Sequence, residues 1–159
     1  MAQSAESFTG RDDMATYHAQ VDLPYPPQQI FALVADIESY PQFLHHLASA
    51  RIRRRKDNTL WVEQVVRLGF LRLKFSTRAL LEPPTRLRVV CHDSLFGMFD
   101  QAWHFTPIAS GGTRLGCHAT YEVRSGLLRL GLGAALPEML ATTVKGFETR
   151  AGQLYGPAR

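Results

Sequence analysis

Cysteine is scarce in this chain. Cys91 and Cys117 are the only two among 159 residues, and they form no CxxC pair. Two thiols cannot make a disulfide framework. Both stand in strand-like runs, which predicts buried free thiols; a bridge between neighbouring strands would need an oxidising compartment. Long apolar runs are missing too. None is long enough to span a bilayer, and Met1 to Asp13 has no apolar stretch of the secretory kind. These absences predict a cytoplasmic protein, held at the surface of the inner membrane at most. Metal-ligand spacing is also absent. His45 and His46 are adjacent, and no carboxylate stands at a helical interval from them.

What is present is an ordinary globular balance. Hydrophobic residues make up 45% and charged residues 20%, which suits a chain that buries one core. We expect a single domain over residues 14–156, preceded by a disordered polar tail at 1–13. Met14, just before the first strand, is a second candidate start. Lys and Arg number 18 against 14 Asp and Glu, a net charge of +4. The excess is mostly arginine. It favours anionic surfaces, phospholipid or RNA, without choosing between them.

The hydrophobic period changes along the chain. Ala15 to Leu23 alternates as a strand. Pro26 and Pro27 preset a helix start, and Ile30, Phe31, Val34 and Ile37 recur at helical spacing. Ser39-Tyr40-Pro41 opens a second short helix with Phe43, Leu44 and Leu47 inward. From Ser49 the alternation returns. Turns are expected at Lys56-Asp57-Asn58-Thr59, Gly69-Phe70, Glu82-Pro83-Pro84-Thr85 and Ser110-Gly111-Gly112. Strands fall between them, with Asp93 to Phe99 read as a loop and Thr113 to Arg124 as the last strand. Leu136, Leu140, Val144, Phe147, Ala151 and Leu154 then trace a helical stripe, Pro137 fits its first turn, and Gly156-Pro157 stops it.

Phe31, Leu33-Val34, Asp36, Tyr40-Pro41 and Phe43-Leu44, then Trp103 with Phe105 and Pro107, then Phe147, Arg150-Ala151 and Tyr155-Gly156 stand in a distinctive order. In that order and spacing the chain resembles the START-like coenzyme Q-binding family of the polyketide cyclase/lipid transport superfamily. That family includes bacterial ribosome-associated toxins. The likeness runs from Met14 to Gly156. It departs at His45-His46-Leu47, where the family usually has Pro-Trp-Cys, and at Leu95-Phe96-Gly97-Met98-Phe99, where it tends to have Gly-Pro-Phe. The resemblance and the period reading agree on an α+β helix-grip fold. About six to seven antiparallel strands would curl around a long C-terminal helix, with two short helices after the first strand.

A sheet curled around a helix leaves a tapered space beneath it. Leu71, Leu73, Phe75, Thr77 and Ala79 share one strand face. Trp103 and Phe105 share another, and Cys117, Ala119, Tyr121 and Val123 a third. Met139, Leu140, Thr143 and Phe147 would close the space from the helix. By resemblance, Phe31, Val34, Tyr40, Pro41, Phe43 and Leu44 join Phe75, Trp103, Phe105, Tyr121 and those four helix residues as ligand-binding positions. Phe147 and Trp103 would pack on the ligand, and Tyr40 to Leu44 would form part of the entrance. The apolar run Leu127 to Leu136, with its two glycines, reads either as a mobile lid that dips into a bilayer or as a packed helix extension.

The resemblance implies a carrier of ubiquinone or a lipid, with no catalytic cofactor. Peripheral contact with anionic membrane is a further expectation. Ribosome association is the alternative reading, on a basic outer face carrying Arg51, Arg53, Arg55, Arg72, Lys74, Arg78, Arg86 and Arg88. That face shows no aromatic stacking platform. A cyclase or dehydratase is a third reading, but acid–base candidates are few. His104 and His118 fall on outward parities. Glu63 and Arg67 share the parity of Trp61 and Val65, and the sequence leaves open whether that parity faces inward.

Overall fold

The computed structural model describes residues 3–7, 14–91, 96–124 and 126–157. The strands are β1 (Gln3–Ser7), β2 (Met14–Leu23), β3 (Leu47–Lys56), β4 (Thr59–Leu68), β5 (Leu71–Glu82), β6 (Arg86–Cys91), β7 (Phe96–Pro107) and β8 (Thr113–Val123). Helix α1 (Pro27–Ala35) and a 3₁₀ helix (Ile37–Gln42) separate β2 from β3, and α2 (Gly126–Tyr155) ends the chain. The strands form one antiparallel sheet in the order β1-β2-β8-β7-β6-β5-β4-β3. Strands β3 to β8 are a meander. The chain leaving β2 must cross to the far edge to begin β3, and α1 with the 3₁₀ helix makes that crossing.

Within the expected tail, Gln3–Ser7 pair with Thr16–Gln20 as an edge strand. The open edge of β2 supplies the hydrogen-bonding partners. Residues 8–13 of that expected tail lie outside the described residues.

The predicted turns stand where expected. Asp57 and Gly69 take positive φ, as tight hairpin turns require. Alternation holds on the concave side: Leu115, Cys117, Ala119, Tyr121 and Val123 of β8 are all buried. Cys91 and Cys117 are buried thiols.

Three expectations are corrected. Phe96 to Phe99 are strand, not loop; Leu95 lies outside the described residues. A register shift between Phe96 and Met98 adds one residue to β7. This bulge lets Phe96 and Phe99, three apart, both bury on the concave side. Pro137 lies inside α2 and not in its first turn, because the helix begins at Gly126. Burial of Leu132 and Leu136 holds that extension in place. Leu154 is exposed, one step past the last buried position, Ala151.

Aromatic packing fixes α2 on the sheet. Phe147 is fully buried, with ring centroids of Trp103, Tyr40 and Phe43 at 5.2, 5.3 and 5.9 Å. The helix C-terminus is tied down as well. Tyr25 donates its hydroxyl hydrogen to the Gly156 carbonyl at 2.5 Å, and Tyr155 donates to Gln29 at 2.9 Å. A Cβ on Gly146 would come within 2.5 Å of Leu44 Cδ2, so glycine permits this close approach.

Candidate functional site: a chamber under the long helix

Between the concave face and the front half of α2 lies a chamber of about 110 Å³. A single buried water needs about 10–15 Å³ by this measure, so the space is more than a packing defect. Its walls come from strands β4 to β7, from the 3₁₀ helix and the loop after it, and from α2. Phe75, Phe96, Phe99 and Trp103 form the sheet side. Leu132, Leu136, Met139 and Leu140 form the helix side.

Five polar side chains interrupt this apolar lining: His46, Gln64, Thr77, Gln101 and Thr143. Gln101 is buried and donates from Nε2 to Cys117 Sγ at 3.4 Å. Burial pushes the Cys117 thiol up to about 12, so it stays protonated. Thr143 donates its hydroxyl to the Met139 carbonyl at 2.8 Å. Its oxygen therefore accepts from His46 Nε2, 3.3 Å away. This places the histidine proton on Nε2 and leaves Nδ1 an acceptor, buried and without a partner among the described residues. Burial first, and His45 second, hold the His46 pKa below its ordinary value. The ring is neutral near pH 7.

Tyr40 also lines the chamber, but its hydroxyl is committed to the Val34 carbonyl. Burial, with a smaller push from Asp36, raises its pKa. Among the described residues the lining holds no carboxylate, lysine or arginine. None of them forms a group of three metal-binding side chains.

Of the fourteen residues expected to hold ligand, the chamber collects Tyr40, Leu44, Phe75, Trp103, Met139, Leu140 and Thr143. The others serve elsewhere. Phe31 packs edge-on against Phe105 at 5.1 Å, and Val34 is fully buried in the same core. Tyr121 is buried beside Phe99. Pro41 sits within the 3₁₀ helix, away from the lining. Phe43 faces the other flank of α2, with the Arg150 guanidinium 5.4 Å above its ring. Phe147 lies beneath Trp103 as core and does not touch the space. Sequence reading missed Gln64 and Gln101. Both are polar residues on an apolar inward parity, and that signal was available.

The parity of β4 is now decided. Leu60, Val62 and Val66 are buried, so Trp61, Glu63 and Arg67 face outward. Glu63 pairs with Arg53 at 2.8 Å and Lys74 at 3.4 Å. Arg67 donates to the His45 carbonyl at 2.7 Å. His104 is exposed on the convex face, and His118 lies there against His18, ring centroids 4.2 Å apart. Arg88 grips Asp100 with two hydrogen bonds. The face carries an aromatic, Trp61, which lies under the Arg54 guanidinium at 4.6 Å.

A curved antiparallel sheet gripping a long helix over an apolar chamber is the architecture of START-type helix-grip proteins. The chain belongs to the family described as polyketide cyclase / dehydrase and lipid transport, whose profile matches residues 23–148. It is 28% identical over 134 residues to the ribosome association toxin RatA of Pseudomonas aeruginosa, covering 84% of this chain and 93% of that one. It is 26% identical to the mitochondrial coenzyme Q-binding protein COQ10 homolog B of Xenopus laevis, covering 84% of this chain and 57% of that one. A START superfamily protein from Mycobacterium smegmatis superposes with a TM-score of 0.75 at 19% identity, over 87% of this chain and 98% of that structure. This last likeness speaks for the fold alone.

Proposed function

We propose that the protein carries a neutral hydrophobic molecule in the chamber, most simply a polyprenyl quinone such as ubiquinone or a lipid with a small polar end. The observation that carries this reading is the lining. It is apolar, free of formal charge among the described residues, and set with a few hydrogen-bonding groups. His46 Nδ1 offers an acceptor, and Gln64 and Gln101 offer amides. Such groups orient a polar end without demanding an ion. The COQ10-type relative supports a quinone. A chamber of about 110 Å³ is smaller than the roughly 300–1,000 Å³ of pockets that enclose drug-sized ligands. The polar end and the first part of a chain would enter, and the rest would leave along the helix. Catalysis is not part of this proposal. The titratable side chains of the lining are Tyr40, whose hydroxyl is engaged, and His46, and among the described residues no carboxylate joins them in the lining to form an acid–base pair.

The test is organic extraction of the purified protein and mass spectrometry of the extract. A quinone or lipid near one per chain is the expected result. Met139→Trp, which fills the chamber from the helix side, should lower that content several-fold while the melting temperature holds. An empty extract from wild-type protein would remove the carrier reading.

A second reading is ribosome association, favoured by the RatA relatives and by the exposed Arg51, Arg54, Arg72 and Arg78 on the convex side. Its test is sedimentation with ribosomal subunits at low and high salt.

A further inference from the structure

Phe70 stands at the turn between β4 and β5 with 96% of its surface in water, and Leu71 beside it is 47% exposed. Leu130, in the first turns of α2, is 77% exposed. These residues belong to two elements that meet. A Cβ on Gly131 would lie 3.4 Å from Leu68 Cδ2, so the hairpin and the helix start are side by side. Phe70 and Leu130, large apolar side chains at neighbouring tips, are costly to leave in water.

The same end holds a wall that the chamber shares with the surface. His46 and Met139 line both the chamber and an outer depression formed with Arg67, Leu68, Gly69 and Ala135. Charge flanks the apolar tip. Arg67 and Arg72 are cross-strand partners at the base of the hairpin, and both are exposed. Glu138 is the one carboxylate lining that depression among the described residues. An exposed phenylalanine set just beyond a pair of arginines matches the profile of an anionic bilayer, with its phosphates outside and its hydrocarbon below.

We propose that the β4–β5 tip and the start of α2 form a docking surface for an anionic phospholipid bilayer, with Phe70 inserted and Arg67 and Arg72 at the phosphates. The wall formed by His46 and Met139 then faces the membrane. Docking of this kind takes its purpose from the carrier function proposed above and rests on it. A hydrophobic cargo can pass between bilayer and chamber along the helix–hairpin seam without crossing water.

The experiment is co-sedimentation of the full chain with phosphatidylcholine vesicles and with vesicles that also contain phosphatidylglycerol. Wild-type protein should pellet with the phosphatidylglycerol vesicles and be released by salt. Phe70→Asp should weaken that partition at least about tenfold, while Phe70→Leu retains it. Arg72→Gln should erase the preference for phosphatidylglycerol. The melting temperature of all three should match wild type, because a side chain in water holds up no core. Equal pelleting of Phe70→Asp and wild type overturns the proposal. So does absence of wild-type binding, or a dimer in solution that Phe70→Asp dissolves. The extract of Phe70→Asp is analysed in parallel. Cargo retained with vesicle binding lost leaves both ideas standing, whereas an empty wild-type extract with vesicle binding intact removes the carrier function alone.

Discussion

Phe147 and His46 lie one turn of α2 apart in space and do different work. Phe147 fills a fully buried site among three aromatic rings. Phe147→Ala should cost about 3–5 kcal/mol, read by chemical denaturation, and any lost ligand would follow from the lost fold. The sequence assigned it to the ligand because an inward helical position looks the same whether it meets a ring or a space. Which side chains leave a gap depends on volumes across the sheet, and periodicity does not carry that. His46 predicts a pH dependence. It titrates near 6.5 when unfolded and lower when folded. As pH falls through about 6.5 the unfolded state takes the proton first, so stability drops until the folded ring also protonates. His18, lowered by burial and by His118, adds to the same slope. The melting temperature should therefore fall between about pH 7.5 and 5.5, before the carboxylates titrate. His46→Asn should flatten part of that fall. A profile unchanged by the substitution would show that the ring does not sense the fold.

At the scale of elements, α2 is two helices in one. Its rear half is clamped by Phe147, Ala151 and the Tyr155 bond to Gln29. Its front half packs through Leu132 and Leu136 over the chamber and contains Gly131, Gly133 and Pro137. Proline has no amide hydrogen for the Gly133 carbonyl, and glycine lowers helix propensity by about 1 kcal/mol each. Pro137→Ala should restore that bond. Hydrogen exchange over residues 126–136 should slow, by about tenfold for each 1.4 kcal/mol gained, and ligand exchange should slow with it. Unchanged exchange would mean the front half is already as firm as the rear. The same residues explain what was legible. Strands with clean alternation and glycine or proline turns were readable, as was the stripe from Leu136 to Ala151. The helix start at Gly126 was left between a packed extension and a mobile lid, because two glycines and a proline weaken a segment that tertiary burial keeps helical. Phe96 to Phe99 was read as loop because a bulge breaks the two-residue period.

The whole molecule separates its two chemistries by the sheet itself. Apolar side chains and the chamber occupy the concave side, and arginines occupy the convex side. Part of that positive charge is answered within the protein. Glu63 serves Arg53 and Lys74, Asp100 serves Arg88, and Asp22 serves Arg114. Arg54, stacked on Trp61, and Arg78, the cross-strand partner of Trp61, stay exposed. A polyanion such as ribosomal RNA would meet this face, and its attraction would weaken steeply with salt. The two functions suggested by the relatives therefore fall on opposite sides of one layer and should come apart under mutation. Arg54→Glu with Arg78→Glu should reduce low-salt sedimentation with ribosomal subunits at least about tenfold and leave the lipid or quinone content of the purified protein unchanged. Met139→Trp should do the reverse. If the charge reversal instead empties the chamber, or filling the chamber releases the ribosome, the two faces are coupled through the sheet, and cargo would govern association.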